Sequence, residues 1–252
     1  MHAANLWSHW RPRPDWLARS VISGFSASVA MLFTFFVAFG LAQIIGAAMP
    51  NTGQGADVLR GWMYALTHNA LLDTAGSSLY LAGVFHLLVG VGVALLYGFA
   101  VEPRLSGPGW RSGLVFALGP WLCSVLIILP LVGAGVFGIG LSAGPLPALG
   151  NLVLHVIYGV TLGTIYGPLG DRPADSFSAQ GPRDTLEASG QIEGATAGGI
   201  VIGAALGFTI GVVLLSTSSD RFMMVPWAAL MFGILVLGAA LGGALGPLLR
   251  VR

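Results

Sequence analysis

Residues 86–98, HLLVGVGVALLYG, and residues 155–167, HVIYGVTLGTIYG, spell one pattern, H-x3-G-x6-Y-G. Neither stretch holds Asp, Glu, Lys or Arg, and each lies within a longer apolar run. A run of that length and polarity must satisfy its backbone hydrogen bonds internally, so each reads as a transmembrane α-helix. Positions four apart share a helix face, which puts His86, Gly90 and Ala94 on one stripe and His155, Gly159 and Gly163 on the corresponding one. The frame returns as Ile234, Gly238, Leu245 and Gly246, and Tyr166-Gly-Pro-Leu is answered by Leu245-Gly-Pro-Leu. Isoleucine here replaces histidine and leucine replaces tyrosine, the mark of a degenerate third copy.

Composition extends this reading to the whole chain. Of 252 residues, 55% are hydrophobic and 8% charged, and the mean hydropathy is +0.83, outside the range of a soluble domain. The 38 glycines fall mostly inside the apolar runs, where they serve close helix packing. All basic residues are arginine and the net charge is +1, a balance that asks for no nucleic-acid partner. The single cysteine, Cys123, excludes an internal disulfide and a thiolate cluster.

Six stretches qualify as spans: Ser20–Met49, Ser77–Val101, Gly113–Gly138, Leu146–Leu169, Ala195–Leu215 and Val225–Leu249. The first is far longer than the roughly 7–15 residues of a cleavable signal core, so it reads as a retained span. The expected fold is therefore an all-α polytopic membrane bundle of about six helices arranged as parallel hairpin repeats. Residues 1–19 form a cytoplasmic juxtamembrane segment carrying Trp7, Trp10 and Trp16, and 20–170 a four-helix unit with two repeats. Residues 171–194 form a polar cytoplasmic loop, and 195–252 a two-helix hairpin. Between the first two spans, Val58, Trp62, Leu66 and Ala70 alternate at helical spacing with Asp57, Arg60, His68 and Asp73, predicting one amphipathic helix near 57–74 on the outer surface. The last two spans carry Gly198, Gly199, Gly203, Gly207 and Gly211, then Gly233, Gly238, Gly242, Gly243 and Gly246, more close-packing positions than one neighbouring helix should need.

Chemistry has few candidates. His86 and His155 lie at matching depths, about 13 Å below the outer boundary at 1.5 Å per residue. Together they have the makings of axial ligands to a haem b iron, with Gly90 and Gly159 leaving room for a flat macrocycle; a chlorophyll-type pigment needs only one of them. The competing structural reading hydrogen-bonds both histidines inside the bundle, to Asn151, Tyr158 or a water. Tyr97 and Tyr166 fall near the inner boundary, where tyrosine is commonly an interfacial anchor. Pro130 should kink the third span. The stretch Gly133-Ala-Gly-Val-Phe-Gly138 matches G-x-G-x-x-G but opens no βαβ unit, so it is no dinucleotide site. No membrane carboxylate pair, H-E-x-x-H, nucleophile elbow or P-loop occurs, so an enzyme or an ion-coupled pump is not expected.

The two motifs, with the Gly113–Pro130 stretch that carries Trp121, resemble uncharacterised bacterial multi-span membrane protein families whose members place a histidine, then a glycine, before a Tyr-containing helix end. The likeness covers the first four spans and implies a protein of the bacterial inner membrane; it brings no activity with it. Three readings follow: an accessory or scaffolding subunit among other membrane protein subunits and lipids, respiratory or photosynthetic in setting; a haem or pigment carrier for electron transport using His86 and His155; and a transporter or channel for a small neutral solute, or a quinone pocket.

Arg11, Arg13, Arg19, Arg104, Arg111, Arg172, Arg183, Arg250 and Arg252 fall on one side of this arrangement and only Arg60 and Arg221 on the other, so both termini should be cytoplasmic. Reporter fusions check it. Alkaline phosphatase should be active when inserted between Asp57 and Thr74 and inactive in the 171–193 loop; the reverse pattern would invert the topology.

Overall fold

Apolar side chains face outward along every long helix of this protein, with Phe33, Leu81, Phe85, Leu88 and Leu131 among the most exposed, as lipid-facing residues are. The structure, a computed structural model, describes residues 14–49, 54–77, 79–105, 108–167, 194–210 and 227–250, and these are helices and turns with no strand. In order they are α1 (Trp16–Ala48), α2 (Gln54–Thr67), α3 (Ala70–Ser77), α4 (Tyr80–Arg104), α5 (Gly109–Leu131), α6 (Leu146–Tyr166), α7 (Gly194–Ile210) and α8 (Trp227–Arg250). Four of them, α1, α4, α5 and α6, are long and apolar enough to cross a bilayer; α7 and the Ile234–Gly246 part of α8 are shorter apolar stretches. The chain is a multi-pass, all-α membrane helix bundle. Trp7, Trp10 and the expected 171–193 loop lie outside the described residues, and α1 begins at Trp16, four residues before the expected start at Ser20.

Helices pair through lines of small residues, and three pairs use one register. On α1, Ser20, Gly24 and Ser28 meet Gly98, Ala94 and Gly90 of α4; on α5, Gly109, Gly113 and Ala117 meet Gly167, Gly163 and Gly159 of α6. On α7, Ala195, Gly199 and Gly203 meet Gly246, Gly242 and Gly238 of α8. Each pair runs antiparallel, rising residue numbers on one helix meeting falling numbers on the other. A Cβ at Gly113 would run into the Gly159 carbonyl oxygen and stand 2.8 Å from the Gly163 nitrogen and 2.9 Å from its Cα, so the two backbones touch. Lipid supplies no hydrophobic force between helices, and close approach with its dispersion and Cα–H···O contacts takes that place. The glycines of the last two helices that seemed surplus in the sequence are thus largely consumed within one pair, because both helices offer their small line to the same partner. Gly198 alone among those described on α7 and α8, apart from Gly194 at the α7 start, has nothing within 4 Å of an added Cβ.

Two prolines shape the helices. Ahead of Pro103 and of Pro130 the chain widens into π turns at Tyr97–Val101 and Ser124–Ile128, closed by Glu102 N–H to Tyr97 O and Leu129 N–H to Ser124 O. A proline lacks the N–H and its ring crowds the carbonyl four residues back, and the wider turn relieves that conflict. The third span accordingly differs from its expected bounds. It runs from Gly109 and stops at Leu131, and the chain passes through Gly133 and Gly135, both at positive φ, into a 3-10 run, Val136–Leu141, that holds Gly138 at φ +77°. The glycines of the G-x-G-x-x-G match are therefore turn residues.

The amphipathic segment is two helices and not the single one expected over 57–74. Asn69 separates them: its side-chain oxygen accepts from Leu72 N–H at 3.1 Å, an N-cap that starts α3. α2 lies along the end of α1, and Trp62 covers Gly144, whose φ of +55° suits glycine.

The contact register predicts that Gly203→Leu, which must displace the α8 backbone, lowers the unfolding free energy of the purified chain by about 1–3 kcal/mol or more. Gly198→Leu, five residues away on an open face of the same helix, should stay within about 0.5 kcal/mol. Unfolding in mild detergent, followed by circular dichroism, measures both.

Candidate functional site

Polar side chains inside the bundle fall into two layers with an apolar layer between them. The first layer centres on the motif tyrosines. Tyr97 and Tyr166 are 1% and 0% exposed, and their rings meet edge to face at 5.3 Å, with Phe116 5.1 Å from Tyr97. The Tyr166 hydroxyl reaches the Gly98 carbonyl at 3.5 Å. Buried Arg19 donates to the Tyr166 carbonyl at 3.3 Å and pairs with Asp15 at 2.6 Å, a cation set against the C-terminal end of α6. The anchoring role expected of the two tyrosines is therefore wrong. Each stands one residue before the last glycine of its line, and that offset turns the ring to the bundle interior. Tyr158, Leu162 and Tyr166, spaced by four, trace this interior stripe on α6 and would have disclosed it in the sequence.

The second layer holds both histidines, each one turn before the first glycine of its line. His86 Nε2 lies 3.2 Å from the Ser28 carbonyl of α1, and His155 Nδ1 lies 2.8 Å from the Asn151 carbonyl of its own helix. A carbonyl only accepts, so these two ring nitrogens are the donors. No described side chain bonds to His86 Nδ1 or His155 Nε2. Asn151 donates from Nδ2 to Ser124 Oγ at 3.1 Å, while its Oδ1 is buried without a hydrogen-bond partner. Ser124 opens the π turn of α5. Tyr158, which the sequence offered as a partner for the histidines, instead donates to the Gly90 carbonyl at 2.5 Å and ties α6 to α4. Hydrogen bonding inside the bundle is thus what both histidines do with one nitrogen each.

Gly90 and Gly159 do not leave the slot expected for a macrocycle. The space beside Gly90 is filled by the Ser28 side chain and the Tyr158 ring, and that beside Gly159 by Ala117 and the Gly113 backbone. Between the layers, Ala27, Ala94 and Leu162 are each 0% exposed. Among the described residues no three His, Cys, Asp or Glu side chains gather as a metal site. His68, just after α2, stacks on Tyr64 at 4.2 Å, and Cys123 is exposed on the bundle surface.

No protein-family model, curated protein or solved structure matches this chain.

Tyr158→Phe keeps the ring between α4 and α6 and removes only the hydroxyl bond to Gly90. It should cost about 0.5–1.5 kcal/mol of stability, read from unfolding of the variant in the same detergent as the parent protein.

Proposed function

We propose that this chain is a non-catalytic accessory or scaffolding subunit of a larger complex in the bacterial inner membrane. In this reading it crosses the membrane six times as three hairpin repeats, with both termini in the cytoplasm. The observation that carries the proposal is the sorting of its glycines. Those on the paired lines meet a neighbouring helix, whereas Gly92, Gly119, Gly150 and Gly198, on four different helices, have no atom of another helix within 4 Å of where a Cβ would stand. A glycine facing lipid presents less apolar surface than any other residue and loosens the helix, so its use there is accounted for by a helix approaching from outside the chain. The shared register of Ser20, Gly24 and Ser28 with Gly109, Gly113 and Ala117 and with Ala195, Gly199 and Gly203 supports the repeat reading.

The interior favours this over the alternatives. A passive solute path needs polar continuity, and the Ala27, Ala94 and Leu162 layer is apolar and fully buried. A tetrapyrrole carrier needs a slot, and the glycines that would make one are engaged in helix contact.

Mild extraction from native membranes followed by native mass measurement tests the proposal. The chain should travel with companion subunits, and Gly119→Leu or Gly92→Leu should release it while leaving its own melting unchanged. A stable, monodisperse monomer without companions would overturn the reading.

A further inference from the structure

We propose that the cavity between the end of α1 and α2 binds the head of a zwitterionic phospholipid with a primary amine, phosphatidylethanolamine. The cavity holds about 450 Å³, within the range of ligand pockets, and both helices line it. From α1 come Ala42, Gln43 and Gly46, and from α2 come Asp57, Arg60 and Gly61. The helices stand close at Gly46, where an added Cβ would lie 3.4 Å from Met63 Cβ, but at Gly61 an added Cβ would meet nothing within 4 Å. Space is therefore left beside Gly61. The height of the cavity is that of lipid headgroups. Arg19 is the only charged residue of α1, and the roughly 20 residues that cross hydrocarbon, counted from there, end near Gly40. Gln43 and the cavity beside it lie beyond that point.

The lining selects the head. Arg60 Nη2 donates to Asp57 Oδ1 at 3.1 Å, and the two side chains are 37% and 49% exposed. An ion pair so exposed contributes little by itself. Its single bond leaves the other carboxylate oxygen and the remaining guanidinium N–H groups for a ligand. A phosphate suits the guanidinium and a primary ammonium the carboxylate, so that the four charges alternate and cancel. An anionic lipid without an amine would set its charge beside Asp57 with nothing to offset it, and a choline head has no N–H to give the carboxylate. Gln43 adds an exposed amide that bonds to no described residue, although its neighbours on α1 are apolar. A lipid's ester oxygens would satisfy it. Ala42, Gly46 and Met63 supply apolar surface for the glycerol and the first methylenes, and Tyr64 and His68, stacked at 4.2 Å, an aromatic part of the wall. This site is independent of the scaffolding role, since a chain without companions would still hold the lipid.

The test is native mass spectrometry of the purified, delipidated full-length protein in detergent, offered equal amounts of phosphatidylethanolamine, phosphatidylcholine and phosphatidylglycerol with the same acyl chains. One phosphatidylethanolamine per chain should be retained at least tenfold more tightly than either of the others. Arg60→Gln and the cavity-filling Gly61→Phe should each lower that retention at least tenfold, while Gly198→Leu leaves it unchanged. Asp57→Asn leaves the guanidinium unmatched and should turn the preference to phosphatidylglycerol, a change that mere loss of packing would not produce. Soluble phosphoethanolamine at equal concentration should not displace the lipid, because it lacks the glycerol and chains. Melting without lipid separates loss of the site from loss of the fold, and the selectivity of the unaltered protein decides the matter even if a variant fails to fold. Equal retention of the three lipids, displacement by soluble phosphoethanolamine, undiminished retention in folded Arg60→Gln or Gly61→Phe, or an unaltered preference in folded Asp57→Asn would overturn the assignment.

Discussion

Helices in lipid gain nothing by hiding apolar surface from water, so they associate only where their backbones can approach closely. In this chain that approach is made by small residues repeated every fourth position. Gly113 against Gly159 and Gly163 is the plainest instance, since a single Cβ there would occupy the position of a carbonyl oxygen. The same spacing recurs between α1 and α4 and between α7 and α8, and the placement of every interior side chain follows from it. Because the small line takes the contact face of each helix, larger residues are confined to the flanks. The residue just before the line, Tyr158 or Tyr166 on α6, points to where α1, α4 and α5 converge.

The interior is consequently layered. Arg19, Ser20, Tyr97 and Tyr166 make a polar and aromatic floor, Ala27, Ala94 and Leu162 an apolar middle, and His86, His155, Ser28 and Asn151 a polar roof. Buried hydroxyls on α1 lean on their own helix, with Ser23 Oγ donating to Arg19 O at 2.6 Å and Ser28 Oγ to Gly24 O at 2.7 Å. Such local bonds satisfy a small polar group without a partner helix, and so serine can stand in the contact line beside glycine. The two histidines occupy equivalent places along their helices yet bond differently. His86 crosses to α1, and His155 folds back on its own turn. That asymmetry leaves different ring nitrogens open, Nδ1 on one and Nε2 on the other.

Much of this was legible in the amino-acid sequence. Membrane residence, helical structure and the approximate spans follow from long runs without charge, because a backbone in hydrocarbon has few ways to satisfy its hydrogen bonds. The repeated H-x3-G pattern marks the contact face, since the 3.6-residue period makes spacing by four equivalent to a stripe. The break between α2 and α3 was also written there, in Asn69 as a helix-starting residue, but the apolar periodicity through 57–74 masks it. Pro103 and Pro130 announce disturbance without saying that the chain answers with a π turn.

What composition and period determined, then, is that this protein is a helical membrane bundle and which stripe of each helix packs. Tertiary structure alone decided what that packing leaves open. A glycine in a sequence reads the same whether its missing side chain makes room for a macrocycle, for lipid or for another backbone. Only the crossing of α1 over Gly90 and of α5 over Gly159 shows that these gaps are closed by neighbouring helices. A histidine likewise declares two nitrogens and not which one is occupied; that depends on whether a carbonyl of another helix or of its own preceding turn lies within about 3 Å of the ring, a distance set by helix crossing and not by residue order.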